Sequence, residues 1–175
     1  MRTPWGPSDY EEVIAEGITF YETPSHGGYH LDRQRQRAMP EALRLRTPWY
    51  EEDCDWARVV LAFPEVFAWK FPEVFARSVE GAKKTLANSY PEAYERFFGV
   101  ELAPGESLVK DRRRHLLEHQ HDWLVTAAWG SWHPTVPLGF VGVVARLGSD
   151  VERCGEERWF LVPAHEYDSG WQQFV

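Results

Sequence analysis

At 175 residues, 43% hydrophobic and with nine tryptophans, the chain is long and apolar enough for a folded core, which excludes an intrinsically unstructured protein. A formal charge of -8 excludes a generic nucleic-acid coat, because nonspecific phosphate binding needs an excess of Lys and Arg. Cys54 and Cys154 lie outside any Cys-x-x-Cys spacing, which argues against a disulfide scaffold or a cysteine zinc knuckle.

No stretch approaches the roughly 20 apolar residues of a membrane span, and the opening Met1-Arg2-Thr3-Pro4-Trp5-Gly6 lacks a signal-peptide core, so a cytoplasmic protein without membrane partners is expected. Ser8-Asp9-Tyr10-Glu11 reads as a capping box that opens a short helix, with Gly17 as its stop. Residues 18–22 alternate as a strand does, and residues 29–31 return as a second strand after Thr23-Pro24-Ser25-His26-Gly27-Gly28. The Arg/Gln-rich run from 33 predicts a short exposed helix ending before Pro40.

Thr47-Pro48 then predicts a helix, with Thr47 as N-cap and Glu51, Glu52, Asp53 and Asp55 crowding the positive end of its dipole. Trp49, Trp56, Val60 and Phe63 follow helical spacing on it. Phe63-Pro64-Glu65-Val66-Phe67-Ala68 recurs as Phe71-Pro72-Glu73-Val74-Phe75-Ala76, eight residues on; an eight-residue step does not return to one helix face, so the copies read as successive helix starts. Further helices are expected over 72–88, 91–98 and 107–119. From 121 the character changes to β-branched and aromatic runs at 123–129, 139–145 and 158–162, an antiparallel meander. The predicted fold is therefore α+β: a helical middle with an N-terminal strand pair and a C-terminal antiparallel β-meander, in one domain over 1–175, helix-rich over 1–120 and β-rich over 121–175.

Taken with Trp49-Tyr50-Glu51-Glu52-Asp53-Cys54-Asp55-Trp56 and Phe160-Leu161-Val162-Pro163, the Thr-Pro-Trp-Gly and Thr-Pro-Ser-His-Gly-Gly motifs make the chain resemble an uncharacterised domain family of bacterial, phage and plasmid proteins. That resemblance implies association with mobile genetic elements. It carries no catalytic assignment.

Candidate sites follow from residue chemistry. Ser25, His26 and His30 surround the Gly-Gly turn, where the glycines permit positive φ or close backbone approach. His26 and His30 offer imidazole donors to a divalent metal, with Asp53, Glu52 or Cys54 completing the site, although the spacing lacks a helical His-Glu-x-x-His frame. Arg35 and Arg37, in the run with Arg33, Arg44 and Arg46, are candidate phosphate contacts for a nucleic-acid partner. Trp132 and His133 mark a hairpin tip suited to a protein partner, with Trp129, Trp159 and Trp171 nearby in sequence pattern. Cys54 reads as a buried structural thiol.

No Gly-x-Ser-x-Gly elbow, phosphate-binding glycine loop or dinucleotide fingerprint is present. The leading expectation is a non-catalytic, acidic protein-interaction module of a mobile element, without a cofactor. It would bind a host protein complex, with inhibition of a defence complex such as an RNA-guided nuclease (an anti-CRISPR role) by steric occlusion or nucleic-acid mimicry as its sharpest form. The alternative is a metal-dependent hydrolase or nuclease using His26, His30 and Asp53.

Overall fold

In a computed structural model of the protein, which describes residues 1–151 and 155–167, helices occupy the middle of the sequence and antiparallel strands its two ends, an α+β arrangement. Cys154 and Trp171 lie outside the described residues. The chain divides into two compact units, Met1–Lys110 and Asp111–Val175.

The first unit opens on a hairpin of β1 (Arg2–Thr3) and β2 (Gly6–Pro7). Four antiparallel strands follow in sequential order: β3 (Tyr10–Ala15), β4 (Ile18–Glu22), β5 (Gly27–Leu31) and β6 (Trp49–Glu51). Between β5 and β6 runs α1 (Arg33–Ala38), capped by Asp32, whose carboxylate accepts from the Arg35 amide at 2.7 Å. Strand alternation sends Ile18, Phe20, Tyr29, Leu31 and Tyr50 to one face, and Tyr21, Gly28, His30, Trp49 and Glu51 to the other. The first face is the core side: Ile18, Leu31 and Tyr50 are fully buried, and Tyr29 meets Phe67 edge-on at 5.7 Å.

Against this core pack α2 (Trp56–Ala62), α3 (Pro64–Lys70), α4 (Phe75–Ser89) and α5 (Pro91–Phe98), with Ala57, Val59, Val60, Phe67, Leu86 and Ala93 inside. The internal duplication marks a repeated way of breaking a helix. Phe63, Phe71 and Tyr90 each precede a Pro-Glu pair and share one backbone geometry, φ -130°, -133° and -138° with ψ 55°, 57° and 60°. Proline disfavours the helical region in the residue before it, so each junction ends one helix and releases the next in a new direction. The two copies differ in burial as expected: Val66 and Phe67 are inside, whereas Val74 is exposed.

Arg58 is a buried cation on α2, and its charge is matched: Nε donates to Asp55 at 3.0 Å, and the guanidinium lies 4.1 Å from the Tyr90 ring centroid. Burial and the neighbouring Asp55 push the Tyr90 phenol up to about 12. Ser107, also buried, donates to the Ala87 carbonyl at 2.6 Å just before α6 (Leu108–Glu118). In the second unit β7 (Trp123–Trp129), β8 (Phe140–Leu147) and β9 (Arg158–Pro163) form an antiparallel meander with β8 in the centre.

Two local expectations are corrected. Residues 8–11 do not start a helix: Ser8 Oγ donates to the Met1 carbonyl and accepts from the N-terminal ammonium, and Tyr10–Ala15 pairs with β4 through a tight turn at Gly17, φ 77°. A Gly read as a helix stop serves equally as a hairpin turn, and long-range pairing decides between them. Nor does Thr47 cap a helix. Its hydroxyl accepts from the Trp49 amide at 3.3 Å, Trp49–Glu51 adds to the sheet beside β5, and the helix starts only at Trp56. The second duplicated copy likewise begins in a turn, with α4 starting at Phe75 instead of Pro72.

The Tyr50 hydroxyl donates to Gln36 Oε1 at 2.9 Å and accepts from the Leu45 amide at 3.2 Å. Tyr50→Phe strands both partners, so it is expected to destabilise the protein by about 1–3 kcal/mol. Urea unfolding of the full chain, followed by far-UV circular dichroism, measures that shift.

Candidate functional site

The turn between β4 and β5 is closed on itself by Thr23. Its Oγ1 donates to the His26 carbonyl at 2.8 Å and accepts from the His26 amide at 3.1 Å, while its own amide donates to the same carbonyl at 2.8 Å. Pro24, Ser25 and His26 are thereby held out at the surface. Gly27 and Gly28 are needed for close approach and not for positive φ, which occurs elsewhere, at Gly6, Gly17, Gly99, Gly105 and Gly139. A Cβ on Gly27 would fall 2.6 Å from Glu52 Oε2, and one on Gly28 would strike the Trp5 ring and sit 2.5 Å from the Tyr50 carbonyl.

Trp5 therefore lies over the sheet face that carries Tyr21, His30 and Trp49. The Trp5 and Trp49 rings meet edge-on at 5.8 Å, whereas Tyr21 and His30 lie tilted against Trp49 at 5.5 Å and 4.6 Å. Packing among these rings pushes the His30 imidazole below its usual range by desolvation, against a smaller upward pull from Asp32.

Beside the aromatic cluster the register places Gly28 opposite Glu51, and the Glu52 amide donates to the Gly27 carbonyl at 3.0 Å. His26, Glu51 and Glu52 consequently converge, with one donor atom from each inside a 4.8 Å spread. His26 Nδ1 stands 3.8 Å from Glu51 Oε1. Of the metal set expected from sequence, His26 belongs to this group. His30 belongs to the aromatic cluster, and Asp53 is exposed and contributes its amide to Glu51 Oε2 at 2.9 Å. Glu51 was missed because the helical reading of residues 48–63 separates adjacent carboxylates. Reading Trp49-Tyr50-Glu51 as a strand of aromatic residues would have put it beside the glycines.

Two arginines of the run, Arg35 and Arg44, are engaged with the backbone. Arg35 Nε donates to the Glu16 carbonyl at 3.0 Å and its guanidinium lies 5.1 Å from the Phe63 ring, while Arg44 donates to the carbonyls of Arg37 and Met39. Arg37 is exposed on α1. Cys54, expected as a buried structural thiol, is half-buried and accepts from Ser89 Oγ at 3.4 Å.

In the second unit, Trp132 on the β7–β8 connection is 75% exposed. The His133 ring sits 6.0 Å from it and 5.8 Å from Trp129, and His133 Nδ1 is 2.8 Å from Thr135 Oγ1. Trp129 in turn stacks on Trp159 at 5.0 Å with the rings 8° from parallel. Trp129 lies opposite Gly142 and Trp159 opposite Val144, so the two outer strands send their rings across one face of the central strand. Trp159 and Leu161 on that face are 58% and 51% exposed.

These features define an α+β chain with a histidine–carboxylate group in its first unit and an aromatic sheet face in its second. The family described as a domain of unknown function, DUF7007, matches residues 1–120, and the chain belongs to that family. No curated protein and no solved structure matches it.

The low His30 value fixes a pH dependence. Above the ordinary imidazole value of 6.5 neither the folded nor the unfolded chain gains a proton there; below 6.5 the unfolded chain does and folded His30 resists. Stability is expected to be full above 6.5, to fall as pH drops below it, and to level off beneath the folded value; His115, lowered first by burial and then by His119, adds the same sign. Thermal melts from pH 7.5 to 5 should show a shallower fall for His30→Gln.

Proposed function

We propose that the protein is a non-catalytic protein-interaction module whose contact surface is the aromatic face of the C-terminal sheet. The observation that carries this reading is the exposed Trp159 ring stacked on the half-buried Trp129, with the exposed Trp132 at the adjoining connection. Tryptophan is the residue type most enriched among binding hot spots, and a clustered apolar patch on a charged protein is the usual mark of a partner site. Trp132 and Trp159 together leave large indole surfaces in water, and the neighbouring ring contacts hold those surfaces in fixed orientation, which lowers the entropy lost on binding.

In the mobile-element setting that the motif resemblance implies, the proposed partner is a host protein complex, a defence complex in the sharpest form. Aromatic anchors favour steric occlusion over nucleic-acid mimicry as the mode. The face lies beyond the 1–120 span of the family match, so the partner is proposed to be read by the C-terminal unit of this chain and not by the family domain.

Both indoles are exposed, so Trp132→Ala and Trp159→Ala are expected to fold as the native chain does. Each should weaken partner retention roughly tenfold or more. Quantitative pull-down from bacterial lysate, with the double variant as the reference bait, tests this: equal recovery of every protein by the two baits would sink the proposal.

A further inference from the structure

We infer that His26, Glu51 and Glu52 form a divalent-cation site of the zinc class, a property separate from the aromatic face. Donor atoms of two carboxylates from consecutive residues are brought within 4.8 Å of each other, and Glu51 Oε1 is both sealed from solvent and, among the described residues, without a hydrogen-bond partner. The nearest cationic candidate, His26 Nδ1, is 3.8 Å away, beyond hydrogen-bond reach. A desolvated carboxylate oxygen beside a second carboxylate is an unfavourable arrangement, and a dication between them removes the repulsion and supplies the missing partner.

The supporting bonds are those of a ligand set held in place. The Gly27 amide donates to Glu52 Oε1 at 2.7 Å, the Asp53 amide donates to Glu51 Oε2 at 2.9 Å, and Thr23 pins both the amide and the carbonyl of His26. Each carboxylate thus has one oxygen fixed by a backbone amide and one left to coordinate, the division of labour seen around metal ligands. Gly27 belongs to the site as well. A side chain there would occupy the place of Glu52 Oε2, so the glycine is what lets the carboxylate lie over the turn.

Donor type selects the ion. One imidazole nitrogen with two carboxylate oxygens suits zinc and its neighbours, whereas calcium takes an all-oxygen shell and magnesium keeps mostly water. The His26 side chain is 50% exposed, so the remaining coordination positions face solvent.

Isothermal titration of metal-stripped full chain with zinc chloride tests the inference. Expected are one zinc per chain, no displacement by millimolar magnesium, and a melting temperature that rises with zinc. His26→Ala and Glu51→Gln should each lower the affinity roughly tenfold or more and abolish the thermal shift, since even outer-shell losses cost that much. Asp53→Asn, which keeps its amide, should leave both unchanged. Glu51→Gln retains the acceptor for Asp53, and its own zinc-free melt confirms folding. Absence of zinc binding to the native chain overturns the inference, and so does zinc affinity unchanged in the His26→Ala/Glu51→Gln double variant, which would move the ion elsewhere, for instance to the His115–His119 ring pair.

Discussion

Everything in the N-terminal unit depends on Tyr50 being inside. It is fully buried at the centre of the shortest strand of the four-stranded sheet, and a buried phenol is tolerated only when its hydroxyl is satisfied. Gln36 on α1 and the amide of Leu45 provide that satisfaction, so the whole excursion from β5 through α1 and back is tied to one oxygen. With Tyr50 inward, the two-residue period of a strand sends Trp49 and Glu51 outward together. A slip of one residue would exchange them, burying a carboxylate and an indole and exposing the tyrosine. The aromatic cluster over Gly28 and the carboxylate beside His26 are therefore consequences of a single packing decision.

That dependence explains which parts of the molecule are legible in its sequence. The strands at 18–22 and 123–129 and the helix at 91–98 fall where alternation, proline and glycine place them, because their signals lie within the element itself. Ser8-Asp9-Tyr10-Glu11 and Thr47-Pro48 carry equally good local signals for helices, yet both segments are strands or lead into one. Local capping stabilises a helix by about 1 kcal/mol, which pairing with a neighbouring strand and burial of an aromatic side chain readily exceed. The site suffered for the same reason. Glu51 becomes a neighbour of His26 only through the register of β6 on β5, a contact between residues 25 apart that no window of sequence displays.

The Thr-Pro-Trp-Gly and Gly-Gly motifs also gain a shared physical meaning. Trp5 occupies the space left by the absent Gly28 side chain, so a tryptophan near the start of the chain and a glycine in β5 are two halves of one contact. The first hairpin covers part of the outer sheet face, its Trp5 ring meeting Trp49, which in turn packs against His30. The 1–120 family match contains every residue of this assembly, and the strands of the C-terminal sheet fall outside it.

An exposed tryptophan face poses a solubility problem that the charge of the chain addresses. Stacked indoles on a flat sheet would draw two copies together, and long-range repulsion between molecules of net charge -8 opposes that encounter. On the sheet itself the charges are internally matched: Arg146 pairs with Glu157, and Arg158 pairs with Glu156 while its guanidinium covers the Trp123 ring at 4.0 Å. In the interaction role proposed above, the indoles would supply contact energy to an apolar groove, while the net charge would favour a basic partner over an acidic one or another copy of the same chain.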